Sequence, residues 1–173
     1  MKFPLLAGSL AAGLLLATTG FVQAQDHSAH AGMAMSNPLL DAVRKANDRF
    51  KDVKVAKAEG YEPIACASSA TAGAMGIHYV NGTLLKDDAL DIAKPEAVMY
   101  EPKPDGSLEL VAVEYITLKG PASLGGQLFN FTDAPNRYGL PGFYELHAWA
   151  WRQNPAGAFA DNNPRVSCDA AKP

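Results

Sequence analysis

A reverse turn at Pro104-Asp105-Gly106 lies between two apolar runs, and it limits the available folds more than any other feature of the sequence. Residues 97–100 before the turn and residues 108–118 after it are rich in residues typical of β-strands. Two strands joined by a tight turn pair side by side in opposite directions. The sequence therefore predicts a β-hairpin, and the hairpin requires antiparallel pairing.

Elements on either side of the hairpin complete the predicted fold. Asn37 followed by Pro38 is a typical helix start, with a capping side chain before a proline in the first turn. The following residues place apolar side chains on one helical face at Leu39, Val43, Ala46, Phe50 and Val53. They predict a helix over residues 38–58, while residues 75–80 and 143–151 predict strands. We expect an α+β fold, in which an N-terminal helix packs on a curved antiparallel sheet or a small open β-barrel.

The first residues have the three-part pattern of a secretory signal peptide. Lys2 gives a positive start, residues 5–22 are apolar, and Ala24 ends a small-residue cleavage sequence. The pattern predicts a signal peptide over residues 1–24 and a periplasmic or secreted mature protein, with no membrane anchor after cleavage. The alternative is an uncleaved anchor, because the apolar run is nearly long enough to span a bilayer.

Charge and composition limit the partners of the mature chain. The sequence has a net charge of −3, so it lacks the basic excess that binds nucleic acids and anionic membranes. We therefore expect no nucleic-acid partner, and a metal ion or a small molecule remains. Residues 25–37 predict a flexible tail rich in His and Met, whereas residues 38–173 fit a single α+β domain.

The two cysteines, Cys66 and Cys168, predict a structural disulfide. An exported protein folds where disulfides persist, and the chain has no C-x-x-C motif. In the chain-entropy interpretation, a bridge that closes a loop of about 100 residues stabilises the fold by up to about 4–5 kcal/mol. Two thiolates bound to copper are the alternative interpretation.

The tail carries four metal-ligand side chains, His27, His30, Met33 and Met35. Cleavage after Ala24 would leave His27 third from a free amine. The amine, two backbone amides and the imidazole then form a square of nitrogens that suits Cu(II), while the methionine thioethers favour Cu(I). The tail therefore predicts copper as the cofactor, unless the first glutamine cyclises and removes the amine. The other interpretation is an ordinary disordered terminus.

A second set of polar side chains lies on the predicted strands: His78, Glu114, Glu145 and His147. Glu114 falls within a stripe of alternating apolar residues, where a buried carboxylate is costly unless it is paired or bound to a metal. The stripe consists of Leu108, Leu110, Ala112, Ile116 and Leu118. If neighbouring strands bring the four together, their imidazoles and carboxylates form a site for Zn, Cu or non-haem Fe. The alternative is a hydrogen-bonded His–Glu pair that fixes the strand register.

Aromatic residues near the same strands predict a ligand pocket. Alternation places Trp149 and Trp151 on the same face as His147. Together with Tyr79 and Tyr115, they would wall a pocket for an apolar or aromatic small molecule. Such side chains also form ordinary hydrophobic core, which is the alternative interpretation.

Three blocks of the chain resemble an uncharacterised family of small exported bacterial proteins. The blocks are GIHYVN, VMYEPKPDGSLELVAVEY and ELHAWAWRQNPAGAFADNNPRVSC, and the resemblance covers roughly residues 60–168. It implies a secreted, single-domain bacterial protein and brings no activity with it. The function therefore has to be argued from the chemistry of the residues.

Three classes of function agree with these features. An exported metal-binding protein, with copper as the leading metal, accounts for the tail and can include the inner His/Glu set. A small-molecule binding module would use the aromatic pocket, and a metal-dependent enzyme would use the His/Glu set with an open metal position. We expect binding rather than catalysis, because the chain has no G-x-S-x-G elbow, P-loop or dinucleotide-binding motif.

Overall fold

The computed structural model of the protein describes residues 37–171. They form an α+β structure, in which short helices precede a mostly antiparallel sheet that is not closed into a barrel. The predicted fold class is confirmed, and of the two predicted arrangements the structure has the open sheet. The predicted signal peptide and most of the predicted His/Met-rich tail lie outside the described residues.

The N-terminal helix is interrupted rather than continuous. Helix α1 spans Pro38–Asn47, a 3-10 turn spans Asp48–Lys51, and helix α2 spans Val53–Ala58. The Asn37 side chain accepts the first free backbone N–H groups of α1, as predicted. The predicted single helix breaks at Asp52, which has extended backbone and caps α2 by accepting the N–H of Lys54.

Nine strands and one more short helix follow. Their bounds are β1 Glu62–Pro63, β2 Ala67–Ser69, β3 Gly73–Val80, α3 Leu84–Asp87, β4 Ala97–Pro102, β5 Leu108–Thr117, β6 Ser123–Leu124, β7 Gln127–Leu128, β8 Asn130–Thr132 and β9 Phe143–Ala148. The main sheet has the order β1-β3-β4-β5-β9-β8, with β2 also paired to β3, while β6 and β7 pair separately. The predicted hairpin is confirmed as β4 and β5.

A β-bulge in β5 corrects the predicted apolar stripe. Met99 pairs with Ala112 but the next residue, Tyr100, pairs with Leu110, so Val111 is an extra residue in β5. The bulge shifts the alternation, and Leu110 packs in the core beneath the helices while Ala112 packs on the opposite face. The prediction that Leu108 and Leu110 share a face with Glu114 is therefore wrong.

Strand β9 also ends earlier than predicted. It stops at Ala148, and the backbone then turns so that the N–H of Trp151 donates to the carbonyl of Val111, the bulge residue. Trp151 consequently packs against the helix-side core and donates from Nε1 to Asp48 at 3.0 Å. Trp149 packs in a second hydrophobic cluster with Met99 and Ala112. The two tryptophans do not share the predicted face.

The disulfide between Cys66 and Cys168 is confirmed, with 5.9 Å between the Cα atoms. It leaves neither thiolate available for copper, so the alternative interpretation of the cysteines is wrong. A disulfide fits an oxidising compartment. Among residues 37–171, no helix has the length and apolar character needed to cross a bilayer.

Candidate metal centre

The sheet places three polar side chains on its helix-free face. Glu114 on β5 lies directly opposite His147 on β9 and opposite Ala97 on β4. His78 is on β3, one strand further away, and pairs with Met99. Strands two apart are separated by roughly 9–10 Å. The small side chain of Ala97 leaves space above β4, across which the His78 ring approaches Glu114.

The donor atoms of this triad converge. Nε2 of His78 is 3.4 Å from Oε2 of Glu114, and Nε2 of His147 is 3.8 Å from the same oxygen. All three side chains are 0% exposed. Ligand atoms that surround a zinc-sized ion tetrahedrally at about 2.1 Å lie about 3.4 Å apart. The separations are therefore suitable for a shared metal ion, and this buried His/Glu group could hold one.

Nε2 of His78 has no hydrogen-bond partner although it is buried. Its contact with Glu114 lacks hydrogen-bond geometry, and an unsatisfied buried polar atom costs about 1–3 kcal/mol. Burial, followed by the charge of Arg137, holds the pKa of His78 well below its ordinary value of 6.5. The ring is therefore neutral at pH 7, which is the protonation state of a metal ligand.

The loop between β8 and β9 adds two side chains that the sequence analysis did not identify. Nη2 of Arg137 donates to Oε1 of Glu114 and to Oε2 of Glu145, both at 2.5 Å, and lies 3.4 Å from Nε2 of His147. The Tyr138 hydroxyl donates to Oε2 of Glu114. Irregular loops have no periodicity that assigns a side chain to a face. One signal was present, since Arg137 is the only Lys or Arg in residues 120–151 and two carboxylates required a cation.

Glu145 belongs to a second, overlapping group with His147 and Asp161, which could also hold a metal ion. The Thr132 hydroxyl donates to Oε1 of Glu145. Nδ1 of His147 lies 3.4 Å from Oδ1 of Asp161. The predicted convergence of His78, Glu114, Glu145 and His147 is therefore observed, with Glu145 held on the Arg137 side of the triad.

The cluster has more carboxylates than cations. Burial raises the pKa of Glu114 well above its usual value. Burial also opposes ionisation of Glu145, but its contacts with Glu114, His147 and Arg137 outweigh burial and lower its pKa. Interaction with His147 lowers the pKa of Asp161. The raised pKa of Glu114 favours its protonated form, and a divalent cation would displace that proton.

The predicted aromatic pocket is not assembled. Tyr79 and Tyr115 belong to the core beneath the helices, against which Trp151 packs, whereas Trp149 belongs to the cluster on the opposite face. The Tyr115 hydroxyl donates to the carbonyl of Ile92, as a core tyrosine does. The tail ligands His27, His30, Met33 and Met35 lie outside the described residues.

No protein-family model, curated protein or solved structure matches this chain. The resemblance to small exported bacterial proteins stays a prediction.

Proposed function

We propose that the protein is an exported metal-binding protein whose folded domain binds a divalent transition-metal ion through His78, Glu114 and His147. The observation that carries the proposal is the Nε2 atom of His78, which is buried, unpaired and directed at the carboxylate that His147 also approaches. A metal ion between these atoms would satisfy all of them.

The donor geometry favours a ligand set over a structural His–Glu pair. A pair that fixes the register would contain a hydrogen bond, and neither imidazole forms one with Glu114. The bonds that Glu114 does accept come from the loop residues Arg137 and Tyr138. These bonds hold the carboxylate still without involving the facing nitrogen of His78.

Copper is the metal we propose. Two imidazoles and a carboxylate suit Zn, Cu or Fe, so the inner site alone accepts several ions. The tail adds His27 and His30 for Cu(II) and the thioethers of Met33 and Met35 for Cu(I). An exported chain with both segments would take up copper at the terminus and hold it in the folded domain. The disulfide supports the oxidising compartment that export implies.

Calorimetric titration of the purified protein with Zn²⁺ and with Cu²⁺ tests the inner site. Glu114→Gln keeps the side-chain size and removes the anionic donor, so we expect at least a 100-fold loss of affinity, as loss of even supporting residues costs about 10–100-fold. Glu96→Gln is the matched control, because Glu96 is also a glutamate that is 0% exposed. This control should bind as wild type does. Equal affinity in all three proteins would overturn the proposal.

The tail requires its own experiment. Mass spectrometry of the exported protein should give a chain that begins at Gln25, and Cu(II) should then produce a visible d–d band that His27→Ala removes. The control is His30→Ala, which leaves the amine and the third-position imidazole in place and should keep the band. A different first residue, or a cyclised one, would remove copper binding by the tail and leave the inner site unaffected.

A further inference from the structure

Tyr138, which is half-buried, differs from three fully buried core tyrosines in the acceptor of its hydroxyl. The hydroxyls of Tyr61, Tyr100 and Tyr115 donate to the backbone carbonyls of Pro95, Phe50 and Ile92, each at 2.7 Å. The Tyr138 hydroxyl donates instead to Oε2 of Glu114. This is the oxygen that the two imidazole nitrogens approach.

Two imidazole nitrogens and the Tyr138 hydroxyl therefore approach the same carboxylate oxygen. The Tyr138 ring packs edge-on against His78 with 6.2 Å between ring centroids, and His147 packs against His78 at the same separation. Two nitrogens and two oxygens converge, and no sulfur is among them. Imidazole nitrogens and oxygen donors suit Cu(II), whereas Cu(I) prefers thioether or thiolate.

We propose that Tyr138 is the fourth ligand of the metal centre and that its phenolate oxygen makes this centre a site for Cu(II) rather than Cu(I). The proposal rests on the function proposed above, because it assumes that His78, Glu114 and His147 bind the ion. It assigns the two oxidation states to different parts of the chain, with the sulfur ligands of the tail left to Cu(I).

The coordination step balances in charge and involves no change of oxidation state. The Tyr138 O–H bond breaks, its proton and the proton held by Glu114 both leave to solvent, and a copper–oxygen bond forms to each residue. Cu²⁺ is then neutralised by the carboxylate of Glu114 and the phenolate of Tyr138. Burial, followed by the charge of Glu114, raises the pKa of Tyr138, so the phenol ionises only when the ion binds. Arg137 stays paired with Glu145, and its guanidinium carbon lies 4.7 Å from the centre of the Tyr138 ring, where its positive charge partly offsets that rise.

The loop holds Tyr138 in position for this step. Oδ1 of Asn136 accepts the backbone N–H groups of Tyr138 and Leu140, both at 3.2 Å. Its Nδ2 donates to the carbonyl of Leu140 at 2.8 Å. Gly139 between them has a φ of +64°, a conformation that glycine adopts without strain. The phenol is therefore aimed at Glu114 before any ion binds.

Optical titration with Cu(II) tests the proposal in the full exported chain carrying His27→Ala and His30→Ala, which silence the tail. A phenolate bound to Cu(II) produces a charge-transfer band in the visible spectrum. We expect this band in the parent protein, its loss in Tyr138→Phe, and its retention in Tyr79→Phe, whose ring lies in the helix-side core. Tyr138→Phe should also lower Cu(II) affinity by about tenfold or more, and Zn²⁺ affinity by less.

The outcomes separate the two proposals. Copper binding that depends on Glu114 but shows no charge-transfer band, or a band that survives in Tyr138→Phe, would overturn the role of Tyr138 and leave the metal site standing. Binding that is insensitive to Glu114→Gln would overturn both. Resonance Raman spectra of the copper-loaded parent protein supply a second readout, should Tyr138→Phe fail to fold. Phenolate vibrations enhanced in the band support the proposal, and their absence contradicts it.

Discussion

Each face of the sheet buries a glutamate, and the two carboxylates have different hydrogen-bond partners. On the helix side, Glu96 lies near Tyr115, and its Oε2 accepts the backbone N–H of Ile116 at 2.8 Å. On the other face, Glu114 is surrounded by side chains only, with Arg137 and Tyr138 donating to it and His78 facing it. Both carboxylates are 0% exposed, so burial alone does not distinguish them.

The difference lies in what satisfies the polar atoms. On the helix side, tyrosine hydroxyls donate to backbone carbonyls and a backbone N–H donates to Glu96, whose other carboxyl oxygen has no partner. The polar side chains there are thus bonded to the backbone, and the apolar surface supplies stability. On the other face, ionisable side chains contact one another and an imidazole nitrogen is left unpaired. An unpaired buried nitrogen costs stability, and a bound ligand would remove that cost. We infer that the helix-side face serves stability, whereas the opposite face combines a second hydrophobic cluster with the proposed metal site.

The largest effect should come from the helix-side core. Phe50 is 0% exposed and packs edge-on against Tyr61 at 5.2 Å between ring centroids. Phe50→Ala should lower the free energy of unfolding by about 3–5 kcal/mol, because it leaves a cavity. Urea denaturation measures the loss. Zn²⁺ affinity of the folded variant should equal that of wild type, and a large decrease would show that the two faces are coupled.

Metal binding should stabilise the protein through the other face. With free Zn²⁺ at about 100 times its Kd, the free energy of unfolding should rise by about 2.7 kcal/mol, because the ion binds the folded state alone. Denaturation with and without Zn²⁺ measures this difference. Glu96→Gln should show the same increase and Glu114→Gln none. An increase that persists in Glu114→Gln would place the ion elsewhere.

Glu96 should make stability depend on pH. Burial raises its pKa from 4.5 to about 8, so between these values the folded state keeps a proton that the unfolded state has lost. Stability therefore falls as pH rises, by up to about 1.4 kcal/mol for each pH unit. Glu114, whose pKa burial also raises, contributes to the same slope. Glu96→Gln should therefore reduce the slope in denaturation curves across the range and leave the share of Glu114. The exposed Glu62 gives the control, since Glu62→Gln should keep the wild-type slope. An unchanged slope in Glu96→Gln would show that other groups cause it.

The smallest effect is expected in the loop over the candidate metal centre. Asn136→Ala removes the bonds that orient Tyr138 and should cost about 1–2 kcal/mol, because each hydrogen bond has a net value of about 0.5–1.5 kcal/mol. Cu(II) affinity should fall several-fold, because the proposed ligand Tyr138 is no longer held in place. Asn81→Ala removes comparable bonds at the start of α3 and should lower stability without changing copper affinity. Equal copper affinity in both variants would mean that Tyr138 needs no support from the loop.

Local patterns predicted the elements well, because their signals are carried by adjacent residues. The proline and glycine of the hairpin turn, the Asn37 cap and the alternation in β9 each depend on only a few positions. For the same reason His147 and Glu145 were expected on one face, and the structure places them there. The helix prediction missed the break at Asp52, where a capping aspartate restarts the helix.

The errors arose where distant segments meet. The bulge at Val111 moved Leu108 and Leu110 to the helix side, and its carbonyl accepts the N–H of Trp151 from a strand that ends early. Arg137 and Tyr138 were missed because their approach to Glu114 depends on how the loop folds over the sheet. The aromatic pocket was predicted from shared alternation, and it failed because alternation stops at Ala148.

The sequence by itself determined that the chain forms an antiparallel hairpin and that two cysteines pair. It also determined which face of its strand each of the four polar residues, His78, Glu114, Glu145 and His147, occupies. Those properties follow from turn chemistry and the two-residue repeat of a strand. The tertiary structure alone decided that β4, with its small Ala97, lies between His78 and Glu114 and that a loop brings a guanidinium and a phenol to the same carboxylate. A strand repeat fixes which face a side chain occupies, but the neighbours on that face are set by strand order and loop closure.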